Sequence, residues 1–220
     1  MDALLQDVRY AVRTIVKTPA FTALTTVCLA LGIGVNSTIF SVVDTLIIRP
    51  LPFRSPEQLT LLFRTNPSKG IDRERMSFAE LEDFKARTHA FTDLAGESSR
   101  DLTLSDRGEP ERVPGSLVTA NLFPMLGIDP VRGRQFRPEE DRAGAARLVI
   151  VSDGLWQRRY ARDPSLLGRT ITIDGAPHTV MGIMPPKFQF PESAQLWLAQ
   201  APVLYAAKRD SRDLDVYARL

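Results

Sequence analysis

The chain has 220 residues, 44% apolar and 25% charged, proportions that exclude an intrinsically disordered or collagen-like protein. Its 28 basic and 26 acidic side chains nearly cancel, to a net charge of +2, which gives no general reason to expect a nucleic-acid partner. The single cysteine, Cys28, excludes an intramolecular disulfide framework, and two histidines, His89 and His178, leave little material for a His/Cys metal site.

Residues 2–17 carry Leu4, Leu5, Val8, Ala11, Val12, Ile15 and Val16 at helical spacing, with Asp2, Gln6, Asp7, Arg9, Arg13 and Lys17 mainly on the other side. We expect an amphipathic helix over residues 1–18, lying on the cytoplasmic face of a membrane; a soluble surface helix is the alternative. Thr18-Pro19 then bends the chain, because a residue before proline avoids the α region. Ala20 to Val43 is a run of 24 residues without a charge. As a helix it is about 36 Å long, against roughly 30 Å of bilayer hydrocarbon. Residues 19–49 therefore read as a transmembrane helix that ends before Pro50 and Pro52. Its hydroxyls can bond back to their own helix, Asn36 prefers a protein neighbour, and Gly32 and Gly34 suit close packing against other helices or a second copy. A cleavable signal peptide and a buried core helix are the competing readings. Arg9, Arg13 and Lys17 before the span favour a cytoplasmic N-terminus, and Pro19 and Pro50 are candidate hinges.

Residues 50–220 read as an extracytoplasmic domain. A strand is expected over 58–64, closed by Asn66-Pro67, and residues 68–75 read as a charged loop. Ser77 with Glu80 three residues on is a capping box for a helix whose buried face is Phe78, Leu81, Phe84 and Ala86. Strands are expected over 91–97, 102–105 and 113–118, the last two separated by the turn Ser105-Asp106-Arg107-Gly108. Asn121 to Gly127 reads as a short helix stopped by glycine. Leu148-Val149-Ile150-Val151 is an apolar run fit for a buried strand, with Asp153 expected to cap a helix over 154–160. Ile171 to Ile173 and His178 to Ile183 flank Asp174-Gly175, a hairpin signal, and Leu196 to Leu198 is one more short strand. The irregular alternation of strands and helices favours an α+β fold over a doubly wound sheet.

Motifs that carry chemistry are sparse. The chain has no G-x-x-x-x-G-K-[ST] phosphate loop, no G-x-S-x-G elbow and no H-E-x-x-H pair. Glu139-Glu140-Asp141 reads as a solvated turn after Pro138, since adjacent residues share no helix face. Arg158-Arg159 reads as a solvent-facing helix side, with anion binding as the alternative. His178 lies in a strand pattern without an evident ligand partner. Trp156 and Trp197 read as core aromatics, with exposed partner anchors as the alternative. No residue is assigned a catalytic, cofactor-binding or metal-binding role.

Several fragments, in order, resemble the MacB-like periplasmic core domain: residues 76–84 (Met76-Ser77-Phe78 to Phe84), 108–115 (Gly108-Glu109-Pro110 to Gly115), 119–127 (Thr119-Ala120-Asn121 to Gly127), 133–136, 138–141, 152–160 (Ser152-Asp153-Gly154 to Tyr160) and 182–186. Residues 7–13 and 17–22 are similar to MacB/FtsX-type ABC-transporter permeases, nearest to the large duplicated permeases of that group. The resemblance implies an α+β chain in which an amphipathic helix and one transmembrane helix precede a mixed α/β extracytoplasmic domain, in the cell inner (plasma) membrane. It implies a permease subunit, not itself an enzyme and without a cofactor of its own. Its expected partners are the lipid bilayer, a second permease copy or half, and a separate ATPase subunit that binds the ATP. In such permeases three further spans follow the domain; none is present here, so the chain reads as an N-terminal fragment whose domain is incomplete at its C-terminus. The rival reading is a membrane-anchored extracytoplasmic binding or adhesion module without a motor; an anchored enzyme with an unrecognised site is a third.

Overall fold

A computed structural model of the chain describes residues 17, 19–43, 53–191, 193–200 and 211–220. Residues 1–16 and 18 of the expected amphipathic helix, residues 44–49 of the expected span and the prolines at 50 and 52 lie outside the described residues. The chain divides into two units, Met1–Leu51 and Pro52–Leu220.

In the first unit, helix α1 spans Pro19–Val43 without interruption. Among the described residues it is the one helix long and apolar enough to cross a membrane, with a mean hydropathy of 1.5 over Pro19–Thr38 and none of that stretch buried. The Thr38 hydroxyl donates to the Gly34 carbonyl at 2.8 Å, the back-bond that makes a hydroxyl tolerable in an apolar setting.

Among its described residues the second unit is a mixed sheet with three short α-helices. Its strands are β1 (Leu59–Leu62), β2 (Arg64–Asn66), β3 (Ile71–Glu74), β4 (Asp93–Leu104), β5 (Glu111–Val118), β6 (Arg132–Gly133), β7 (Leu148–Val151), β8 (Thr170–Ile173), β9 (Ala176–Ile183), β10 (Leu196–Ala199) and β11 (Asp215–Arg219). The helices are α2 (Phe78–Arg87), α3 (Leu122–Leu126) and α4 (Asp153–Tyr160). The main sheet runs β1-β11-β4-β5-β10-β7-β9-β6, and β8 joins β9 to β4. The path β4-β5-β10-β7-β9-β8 therefore returns to β4, through Leu104 opposite Ile173, and closes a ring of six strands. Strands β2 and β3 form a separate ribbon.

Three apolar clusters follow from this topology. Inside the ring lie Leu102, Leu104, Val113, Leu117, Val149, Val151, Ile171, Ile173, Val180, Leu196 and Leu198, with Leu155, Trp156 and Tyr160 of α4. On the other face of the same strands, Val118, Leu148, Ile150, Trp197 and Ala199 pack with Phe123, Leu126, Phe136 and Phe188. A third cluster joins Leu81 of α2 to Leu94, Leu214, Val216 and Ala218. Strands covered on both faces need no polar alternation. That is why Leu148–Val151 and Leu196–Ala199 are buried at every position. Both tryptophans are core residues, as expected.

Several expectations need correction. Residues 68–75 are not all loop: β3 pairs with β2, held by Arg64 on Glu74 at 2.6 Å and by the Arg73 guanidinium over the Phe63 ring. The two strands expected over 91–97 and 102–105 are one twelve-residue strand, β4. Its polar middle stays in the ladder because Ser98 to Asp101 pair with β5 and their side chains find partners, as with Arg112 on Asp101. Ser77 and Glu80 do form the capping box of α2, but Ala86 is exposed and Leu81 alone is fully buried there. The cap of α4 is Ser152, whose hydroxyl accepts from Leu155 N at 3.1 Å; Asp153 is the first helical residue and pairs with Arg162. The helix stop at Gly127 and the Asp174-Gly175 hairpin turn stand as expected.

Gly133 of β6 faces Gly182 of β9 at very close range. It has φ +78°, and a Cβ there would lie 2.1 Å from the Met181 carbonyl oxygen. Gly133→Ala is expected to lower the unfolding free energy by about 2–3 kcal/mol. Gly144→Ala has a similar φ of +76° but open space around it, so it should lose only about 1 kcal/mol. Chemical denaturation of the two variants checks the difference.

Candidate functional site

The region that organises the second unit is the place where its first and last strands meet. Strand β11 lies between β1 and β4, antiparallel to both. Leu59 is opposite Arg219, and Leu220 N donates to the Gln58 carbonyl at 3.0 Å. The Arg219 guanidinium gathers the surrounding backbone. It donates to Met125 O (2.6 and 3.1 Å), to Arg54 O (2.6 Å) and more weakly to Ser55 O and Gln58 Oε1 (both 3.4 Å). Met125 belongs to the last turn of α3, whose carbonyls have no partner within the helix and favour a cation. Arg54 N adds a bond to Leu126 O at 2.9 Å. One planar fork thus ties the start of the domain, the last turn of α3 and the last strand.

The opposite end of β11 holds a buried carboxylate. Glu97 of β4 is 2% exposed and stands directly opposite Asp215 of β11. Its Oε2 accepts from the Ser116 hydroxyl at 2.7 Å and the Ser99 hydroxyl at 3.1 Å. Burial is the main cause that pushes its pKa up, from 4.5 to about 6; the two serine bonds oppose this, and the Asp215 charge adds to it. Asp215 itself is neutralised by Arg75, at 2.9 Å. Ser99 also lines a cleft of about 280 Å³ with Asp101, Pro114, Pro191 and Ser193.

A third feature is a groove of about 370 Å³ between α2 and the β1–β2 segment, lined by Leu62, Phe63, Met76 and Phe84 with Arg64 and Glu80 at its rim. Arg64, Glu74, Glu80 and Arg212 form a chain of alternating charges beside it.

The residues singled out in the sequence are placed elsewhere and serve the scaffold. Arg159 does not face solvent: its guanidinium is mostly buried between Asp106 and Glu111, and bonds the Arg107 carbonyl. Tyr160 donates to Asp106 Oδ2 at 3.0 Å, and burial drives the phenol pKa upward. Arg158 bonds Glu111, and that contact is the main cause holding the Glu111 pKa down. Together they lock α4 to the tip of the β4–β5 hairpin. Glu140 and Asp141 do more than face water. Glu140 pairs with Arg134, the chief cause that lowers its pKa, and Asp141 accepts from Ala120 N at 2.9 Å. His178 is buried, with Nδ1 3.0 Å from Ala176 O, and burial lowers its pKa. Among the described residues no three His, Cys, Asp or Glu side chains converge on a common point. Glu97 and Arg219 were not singled out by their sequence context. The one local sign was an acid set among serines in Gly96-Glu97-Ser98-Ser99.

Residues 22–219 match the family model of the MacB-like periplasmic core domain. The fold is similar to that of the periplasmic region of MacB from Actinobacillus actinomycetemcomitans, at a TM-score of 0.57 and 13% identity, over 74% of each chain. It is also similar to the extracellular domain of the noncanonic ABC-type transporter YknZ from Gram-positive bacteria, at a TM-score of 0.52 and 13% identity, over 72% of this chain and 81% of that one. No curated protein matches the chain.

Two outcomes follow from the geometry. Because the folded Glu97 binds its proton more tightly than the unfolded chain, its contribution to stability is complete below pH 4.5 and declines as pH rises through about 6. Glu97→Gln is therefore expected to stabilise the protein by about 1–2 kcal/mol at pH 7.5 and by little at pH 4.5, as thermal unfolding at the two pH values would show. Arg219→Ala leaves several carbonyls without a donor and should cost about 2–3 kcal/mol. Arg219→Lys should recover only part of that, since an ammonium cannot span the fork. Limited proteolysis near residues 53–58 and denaturant titration would read both.

Proposed function

The chain belongs to the MacB-like periplasmic core domain family, and we propose that it works as a permease subunit of an ABC transporter, moved by a separate ATPase subunit. In this reading α1 is a membrane span with its N-terminus in the cytoplasm, and residues 52–220 lie outside the inner (plasma) membrane. ATP is bound and hydrolysed on the partner, so this chain supplies no nucleotide site and no catalytic residue. A second permease copy or half completes the transmembrane route, and the outer domain acts on substrates for export.

The observation that carries the reading is the union of a 25-residue helix, apolar and unburied over Pro19–Thr38, with a domain whose first and last described strands are hydrogen-bonded to each other. A displacement arriving along the chain at residues 53–58 reaches β11 through the β1 ladder and α3 through Arg219. The domain then responds as one body rather than by peeling a single strand. A rigid transmitting element of this kind is what a mechanical coupling needs.

The test is co-purification from membranes. The chain, expressed in its genomic context with a neighbouring ATPase and tagged on its own C-terminal side, should carry the ATPase with it after detergent extraction. It should also resist release by carbonate. A chain that stays in the membrane but never retains an ATPase would replace this reading with the anchored binding module.

A further inference from the structure

We propose that Glu97 is a proton-operated latch on β11: carrying a proton it lets β11 seat fully against β4, and ionised it loosens the Asp215 end of that strand. Among the described residues β1 pairs only with β11, so the β4–β11 ladder is the one strand contact that joins the β1–β11 pair to the ring. That ladder has five residue pairs, from Asp215 opposite Glu97 to Arg219 opposite Asp93. Its Arg219 end is held by the guanidinium fork on α3 and on residues 54–58. Its other end opposes two carboxylic acids on one face of the sheet, an arrangement that weakens a strand pair when both are charged.

Four groups face Glu97. From its own strand comes Ser99, from β5 Ser116, from β11 Asp215, and from the segment between β3 and α2 comes Arg75. Arg75 is committed to Asp215, at 2.9 and 3.0 Å. Asp215 thus keeps a counter-charge, whereas among the described residues the groups hydrogen-bonded to the Glu97 carboxylate are the two serine hydroxyls. A hydroxyl rotates from donor to acceptor, so the site accepts the neutral acid without repacking. Ser99 opens on the 280 Å³ cleft, which gives the proton a path to solvent. Burial of Glu97, which places its titration near pH 6, sets the range in which the latch works. The functional reading above would place the latch under the pH of the compartment outside the membrane; the latch itself does not depend on that reading.

The test is amide hydrogen exchange on the full chain in lipid nanodiscs between pH 5 and 7.5, corrected for the intrinsic exchange rate. It needs no ATPase, so it can fail or succeed independently of the transporter assignment. Protection of residues 215–218 should fall roughly tenfold as pH rises, within the ceiling of about thirtyfold that a shift of this size allows. Protection of β7, β9 and β10 should stay level. Glu97→Gln should hold β11 at its low-pH protection throughout, and Asp215→Asn should move the transition to lower pH and shrink it. The latch is overturned by pH-independent protection of β11, by a change spread equally over the ring strands, or by a response that survives unchanged in either variant.

Discussion

Four residue pairs, from Leu59 with Arg219 to Leu62 with Val216, tie the first strand of the domain to its last. Much else rests on that ladder. It gives β1 its place in the sheet, it brings Leu214, Val216 and Ala218 under Leu81 of α2, and it sets Arg219 over the end of α3. The ladder is short and antiparallel, so hydrogen bonding alone would leave it easily opened. The fork of Arg219 reinforces one end, and the Met76–Leu214 bridge extends the pairing past the other.

The ring of six strands behaves differently. It closes through one residue pair, Leu104 opposite Ile173, and its interior is filled by aliphatic side chains with Trp156 and Tyr160. Both faces of its central strands are covered, so polar groups buried on the ring or against it must find partners inside the protein. The Arg159–Asp106–Tyr160 group meets that demand with hydrogen bonds and opposite charges. Glu97 meets it, among the described residues, with two hydroxyls and no ion pair of its own. The contrast accounts for the opposite behaviour of the two places: one is locked, the other is poised to take up a proton.

Much of this was legible in the sequence where the signal is local. The capping box of Ser77 and Glu80, the glycine stop at Gly127, the Asp174-Gly175 turn and the apolar run at 148–151 each depend on residues a few positions apart. The α+β class rested on the irregular alternation of strands and helices, the resemblance to the MacB-like periplasmic core domain on ordered fragments, and both hold. What was not legible depends on distant neighbours. The polar stretch Ser98-Ser99-Arg100-Asp101 looked like a break because its partners on β5 and in Asp213 are far along the chain. Strand β3 looked like a loop because its support is an ion pair and a cation over a ring. Arg159 looked solvated because nothing near it in sequence shows the acids of the β4–β5 hairpin. Arg219 draws its role from segments 94 to 165 residues away, and Glu97 faces Asp215 across strands that meet only in the fold.

Arg219 lies 161 residues beyond the Gln58 side chain it contacts, and that separation matters while the protein is being made. A ribosome adding about 5–20 residues each second leaves β1 without β11, its one strand neighbour among the described residues, for roughly ten to thirty seconds. During that time the β8–β9 hairpin can already form from local contacts, whereas Leu59 to Leu62 wait as an unpaired template open to the wrong strand. The nascent chain is therefore most exposed to misassociation at its first strand, and relief comes only when residues 215–219 emerge.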